Sequence, residues 1–308
     1  MIENFVSGAS SLFNVTTVAM AQSTGVNGVP WWVWPLALLI STFLIGIVAA
    51  LAGVGGSVLY VPIVSSFFPF NFDFIRGSGL FVALACSLSA APKLLKSNLA
   101  SLRLVIPLAL LASISSIGGA YLGLSLPQNI LKIILGLLIT GIAMLFVFSK
   151  NSDIPKVGQP DALTRYFNIG GAYLESSTGI DVSWTIWRLP IGLLLFCVIG
   201  IIAGMFGIGA GWANVPVLNL VLGAPLKIAV GTSMSLLAIT DTSAAWIYLN
   251  QGAVLGMITI PSVIGIMVGS RIGVKILNNA RPKSVRYIVI LMLLFAGLKQ
   301  LLNGLGWG

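Results

Sequence analysis

Apolar residues in this chain come in runs rather than in alternation. Stretches with few or no charges lie at about 33–52, 57–69, 77–95, 103–124 and 129–149, then at about 188–206, 211–224, 230–249, 253–277 and 285–303. Many reach about 18–22 residues, the length a helix needs to cross a hydrocarbon layer of roughly 30 Å. A transmembrane barrel would alternate apolar and polar positions along each strand, and these runs do not. The pattern predicts helical spans and an all-α polytopic membrane protein. The second stretch in each set of five is short for a full crossing.

The two sets repeat at a constant offset of 154 positions. Gly46, Ala49, Gly53, Gly55, Val61 and Pro62 fall on Gly200, Ala203, Gly207, Gly209, Val215 and Pro216. The register continues through Gly77 with Gly231, Ser89 with Ser243, Pro107 with Pro261 and Gly119 with Gly273. Chance matches between apolar sequences do not keep Gly and Pro in step for so long. The expected organisation is a polar leader over 1–32, a first membrane repeat over 33–149, a linker over 150–187 and a second repeat over 188–308. The linker is rich in Gly, Ser and Asp. Partial alternation from Tyr173 to Trp187 around Ser177-Thr178-Gly179 suggests a small β-hairpin.

Charge sets the orientation. If the stretches alternate sides, Lys93, Lys96, Arg103, Lys150, Lys156, Lys227, Lys275, Arg281, Lys283 and Arg286 gather on one side. The other side receives Glu3, the Asp73/Arg76 loop, the loop near Gly252 and Lys299. By the positive-inside rule the first side and the linker are cytoplasmic, and both termini lie outside a bacterial-type inner membrane. An odd number of stretches per repeat makes the two copies inverted, a recurring design of secondary transporters.

Composition agrees and removes other classes. The chain has 308 residues, 57% hydrophobic and 7% charged, against roughly a quarter charged in an average soluble domain. Its net charge of +9 is spread through short loops, so nucleic acid is not an expected partner. With no His, an imidazole relay or His-ligated metal is impossible. Cys86 and Cys197 lie in apolar stretches and read as buried free thiols. No cofactor or metal is expected. Ala19-Met20-Ala21 has the small residues of a cleavage site, but the preceding residues lack Lys and Arg and include Glu3, which favours an uncleaved leader.

The most informative residues are two glycine clusters deep in apolar sequence, Gly53-Val54-Gly55-Gly56-Ser57 and Gly207-Ile208-Gly209-Ala210-Gly211. Each precedes a Val-Pro pair, Val61-Pro62 or Val215-Pro216. Glycine releases the backbone from helical geometry, and proline removes a donor. Broken backbone at membrane depth must be buried in protein or line a wet cavity. A helix restarting there offers N–H groups and a positive dipole end to an anion. Glycine also serves close helix packing, the role assigned to Gly119-x-x-x-Gly123 and Gly265-x-x-x-Gly269-x-x-x-Gly273.

These doubled Gly-x-Gly motifs with Val-Pro, together with Ala229-Val230-Gly231-Thr232-Ser233 opening a later stretch, resemble the TauE/SafE sulfite exporter family. The resemblance covers nearly the whole chain apart from leader and linker. It implies proton-linked transport of a small, often sulfur-containing anion such as sulfite or a sulfonate. Ala210 and Arg76-Gly77-Ser78-Gly79 depart from the pattern and leave the two halves unequal.

Polar residues within the stretches complete the candidate site. Asp241 stands near the middle of the third stretch of the second copy, and its repeat partner is Ser87. Ionisable groups at this depth are costly and functional by default, and desolvation disfavours the charged form of a carboxyl. Asp241 is the expected proton-coupling residue. The substrate shell is expected from Gly53, Gly55, Gly56, Ser57, Ser78, Gly207, Gly209, Gly211, Asn214, Thr232 and Ser233. Arg76 and Lys227 are placed at the two mouths, as anion attractors or interfacial anchors.

The leading function is a secondary anion transporter, most simply an exporter. The alternative is an anion channel or uniporter using the same glycine-lined path. No nucleophile–base pair or metal cluster supports an enzyme, and no Gly-x-x-x-x-Gly-Lys-Ser/Thr loop supports ATP-driven transport. The expected partners are the anion and membrane lipid, with a homo-oligomer left open.

Overall fold

The computed structural model describes residues 32–52, 55–68, 70–148, 157–175, 180–277, and Leu294, Gly297, Leu298, Leu301 and Leu302. Residues 1–31 of the leader, Gly53, the start of the linker to 156, its expected turn at Ser177-Thr178-Gly179, and most of the stretch expected at 285–303 lie outside these residues. Before the linker run α1 (Val33–Ala52), α2 (Ser57–Phe67), α3 (Phe72–Lys96), α4 (Leu102–Ser125) and α5 (Gln128–Phe148). In the linker, α6 (Ala162–Tyr166) leads to strands β1 (Gly170–Glu175) and β2 (Ile180–Thr185), paired antiparallel with Tyr173 opposite Val182. Then follow α7 (Leu189–Phe206), α8 (Gly211–Pro216), a π-helical turn (Val217–Val221), α9 (Leu226–Asn250) and α10 (Gly256–Leu277).

The protein is a helical, multi-pass membrane protein. Among the described residues five helices are long and apolar enough to cross: α1, α3, α4, α7 and α10. Their outward residues are large and apolar, with Ile114 70%, Leu194 67% and Ile260 62% exposed. On a soluble protein such a surface would aggregate; in a bilayer it is the face lipid tails wet.

Packing is set by glycines. In α10, Gly265, Gly269 and Gly273 lie against the backbone of Leu39, Phe43 and Ile47 in α1. In α4, Gly119 and Gly123 meet the carbonyls of Ile201 and Met205 in α7. Equal spacing along both members makes each pair parallel, with no room for a Cβ between the backbones. α3 and α9 instead run antiparallel: Gly77 at the start of α3 meets the Ala253 carbonyl just past α9, and Gly231 at the start of α9 meets the Leu99 carbonyl just past α3.

These contacts are reciprocal under the 154-residue offset. Gly77 on Ala253 pairs with Gly231 on Leu99, Gly46 on Ile266 with Gly200 on Ala112, and Gly119 on Ile201 with Gly273 on Ile47. Two like surfaces meeting about a two-fold axis would make contacts of this kind. The turns after α3 and α9 match as well, with Asn98 at φ 55° and Gly252 at φ 68°.

At one end of the molecule gather the start of α3 and the ends of α4, α7 and α9. At the other, the Ser101 N–H donates to Thr232 Oγ1 at 3.3 Å. The linker belongs to this second end: Arg103 Nη1 donates to the Asn168 carbonyl at 3.1 Å. The Leu189 N–H at the head of α7 donates to Asp161 Oδ1 at 3.4 Å.

Candidate functional site

The chain leaves helical geometry at equivalent points. Gly55 stands at φ 74° and Gly209 at φ 64°, both in the left-handed region that a Cβ opposes. After the first break α2 starts at Gly56 with no side chain capping it, and its opening residues Ser57–Tyr60 are buried. After the second break the α-helix is much shorter than the pattern predicts. It lasts six residues, and from Pro216, which lacks an N–H, the chain winds on as a π turn.

The two breaks meet. The Ser57 hydroxyl of the first donates to the Ile208 carbonyl of the second. A Cβ built on Gly209 would lie 2.9 Å from Asp241 Oδ2, 3.0 Å from Ser57 Oγ and 3.3 Å from the Ala83 Cβ. One built on Gly55 would lie 3.0 Å from Leu237, the repeat partner of Ala83. Asp241 therefore faces the junction from α9, with 1% of its surface exposed. Neither carboxyl oxygen completes a hydrogen bond of normal geometry, although the Ala210 N–H lies within electrostatic reach. Cys86 of α3 is fully buried and in reach of Gly56, Ser270 and Asp241.

Of the residues expected from the sequence, Gly55, Gly56, Ser57, Gly209 and Asp241 gather at this junction. Gly207, at φ 66°, is pressed instead against the Arg76 backbone at the start of α3. Gly211 is buried at the head of α8. Asn214 is fully buried, and neither its amide oxygen nor its amide nitrogen has a partner. Ser78 shares a 2.8 Å hydrogen bond with Thr259 of α10, and Thr232 accepts from Ser101, so these two hydroxyls tie elements together. Ser233 is buried in α9.

Three residues take places the sequence did not suggest. Cys86 gave no signal beyond a lone thiol in an apolar run, although it adjoins Ser87, the repeat partner of Asp241. Arg76 is not at an open mouth: it is fully buried, and its guanidinium is occupied by backbone carbonyls and by Asp73. Arg271 donates through Nε to Ser89 Oγ at 3.2 Å. Among the described residues no three His, Cys, Asp or Glu stand together as metal ligands.

Broken helices meeting at a buried carboxyl inside a multi-pass bundle are what a membrane transport protein presents. The sequence profile of the Sulfite exporter TauE/SafE family matches residues 38–300, and the chain belongs to that family. It is 22% identical over 276 residues to the probable membrane transporter protein YunE of Bacillus subtilis, covering 87% of this chain and 97% of that one. It is 25% identical over 280 residues to the probable membrane transporter protein MJ0441 of Methanocaldococcus jannaschii, covering 86% of this chain and 94% of that one. No solved structure matches the chain.

Proposed function

We propose that the protein is a secondary transporter of a small anion, of the sulfite or organosulfonate class, coupled to a proton carried by Asp241. The observation that carries the reading is a buried carboxyl with, among the described residues, no cation beside it and only the Ala210 N–H in reach, standing where two glycine breaks from the two halves of the chain meet. An ionised carboxylate there would be an uncompensated charge at membrane depth. A proton on Asp241 removes that charge, and it also removes the repulsion an arriving anion would meet. The uncapped, buried start of α2 beside it supplies backbone N–H groups of the kind that hold oxyanions. Proton and anion then enter and leave the junction together.

The antiparallel run of α3 and α9 and the reciprocal glycine contacts support two inverted copies, 33–149 and 188–308, that rock against each other around the junction. The basic loops support a cytoplasmic linker, 150–187, in a bacterial-type inner membrane with both termini outside.

The test is uptake by the purified protein in liposomes across sulfite, sulfoacetate, taurine, sulfate and thiosulfate. Saturable uptake of one anion, with exchange against the same anion inside, is expected. Flux that rises linearly with concentration and shows no exchange would mean a channel.

A further inference from the structure

The guanidinium of Arg76 is wholly enclosed, and its partners come from three helices. Nη1 donates to the Met205 carbonyl of α7 at 2.8 Å and to the Gly123 carbonyl of α4 at 3.1 Å. Nη2 pairs with Asp73, one turn back on α3. Asp73 in turn accepts from Gln128 Nε2 of α5 at 2.6 Å. From α9, the Tyr248 hydroxyl reaches the same end of α7, 3.1 Å from both the Gly204 and Met205 carbonyls. Its ring also lies beside the guanidinium, 5.7 Å from centroid to Cζ.

The arrangement has a clear electrostatic cause. The last carbonyls of α4 and α7 have no intrahelical donors and carry the negative ends of their helix dipoles. A cation held between them satisfies both ends at once and binds them to α3. Directly inside this cluster the Arg76 backbone presses on Gly207, and Gly79 on the Gly207 carbonyl. The second break is thereby packed against the start of α3 at this end. At the opposite end, among the described residues, the Ser101 N–H donates to Thr232 Oγ1 and Arg103 reaches the linker carbonyl of Asn168. The repeat partner of Arg76 is Val230, so the offset supplies no second guanidinium there.

We infer that Arg76, Asp73 and Tyr248 form a latch that holds the Asp73 end of the transport path shut, and that its release admits solute to the junction from that end. The inference rests on the alternating-access reading above. Arg76 is a positioning residue here, acting through the carbonyl ends of α4 and α7.

Cys86 is a built-in reporter, since it is buried beside Asp241. In a Cys197→Ser background, its labelling by a membrane-impermeant methanethiosulfonate is followed separately from each face of oriented vesicles. Tyr248→Phe should label roughly fivefold faster than its parent from the Asp73 face alone, the population shift expected for one lost buried hydrogen bond. Asp73→Asn, at a residue partly exposed, should do the same. Unchanged labelling in both variants, or equal acceleration from both faces as from loosened packing, would overturn the latch. Sulfite uptake measured on the same vesicles separates the two ideas. Retained uptake with unchanged labelling removes the latch alone, whereas one-sided labelling without saturable uptake of any tested anion removes the transport reading.

Discussion

At Gly209 two constraints coincide: a left-handed backbone and a Cβ position already approached by Asp241 and Ser57. Gly209→Ala should cost about 1–2 kcal/mol in backbone strain alone and should push the Asp241 carboxyl from the junction. Uptake is expected to fall well below wild type while the protein still elutes as a folded species in detergent, which size-exclusion chromatography with a flux assay would check. Outside the membrane, Asp161 has a different role. Desolvation works against its ionisation, but hydrogen bonds from the Thr164 hydroxyl, at 2.5 Å, and the Leu189 N–H outweigh it and hold the carboxyl below its ordinary value. A lowered folded value stabilises the ionised linker above the usual carboxylate range. That contribution is lost as pH falls through the folded value, below about pH 4. Hydrogen exchange should show the Leu189 amide losing protection in that acid range, and Asp161→Asn should remove the transition. At this scale Asp241 was legible because one carboxylate in an apolar run has few innocent explanations. Ser78 and Thr232 were not, because a membrane hydroxyl can serve a substrate or a neighbouring helix equally well, and only packing decides.

Helix contacts here depend on the absence of side chains, which makes them easy to break and easy to read. Gly77→Ala and Gly231→Ala would each drive a Cβ into a carbonyl across the α3–α9 contact. Each should destabilise by about 1–3 kcal/mol, the usual cost of overpacking. Gly118→Ala, one residue from Gly119 but with open space around it, should lose nothing. Thermal unfolding in one detergent compares the three. The small-residue ladders of α4 and α10 were visible from spacing alone, since i, i+4 glycines share a helix face. The brevity of α8 was not. Its six residues and the π turn after Pro216 follow from how the second break is packed, and the first copy, with Pro62 at the matching position, keeps a regular helix of 11 residues.

Over the whole molecule, repetition in the sequence reappears as reciprocal contact. The offset that aligns Gly77 with Gly231 also aligns their targets, Ala253 and Leu99. Among the places where the copies differ, two carry charge into the argument: Asp241 against Ser87 at the junction, and Arg76 against Val230 at one end. On the proposed reading, the two unequal halves carry one carboxyl to load and one charged latch. The latch was hidden from the sequence because Arg76 sits beside a loop, where basic residues ordinarily face water or headgroups. Two of its partners are carbonyls, which leave no mark in a sequence. The central claim is that Asp241 moves a proton with the anion. Its most direct test is internal pH recorded during sulfite uptake in proteoliposomes, wild type beside Asp241→Asn. The account predicts proton movement in step with saturable uptake in the wild type and neither in the variant. Uptake of the anion with proton movement unchanged in Asp241→Asn would contradict it.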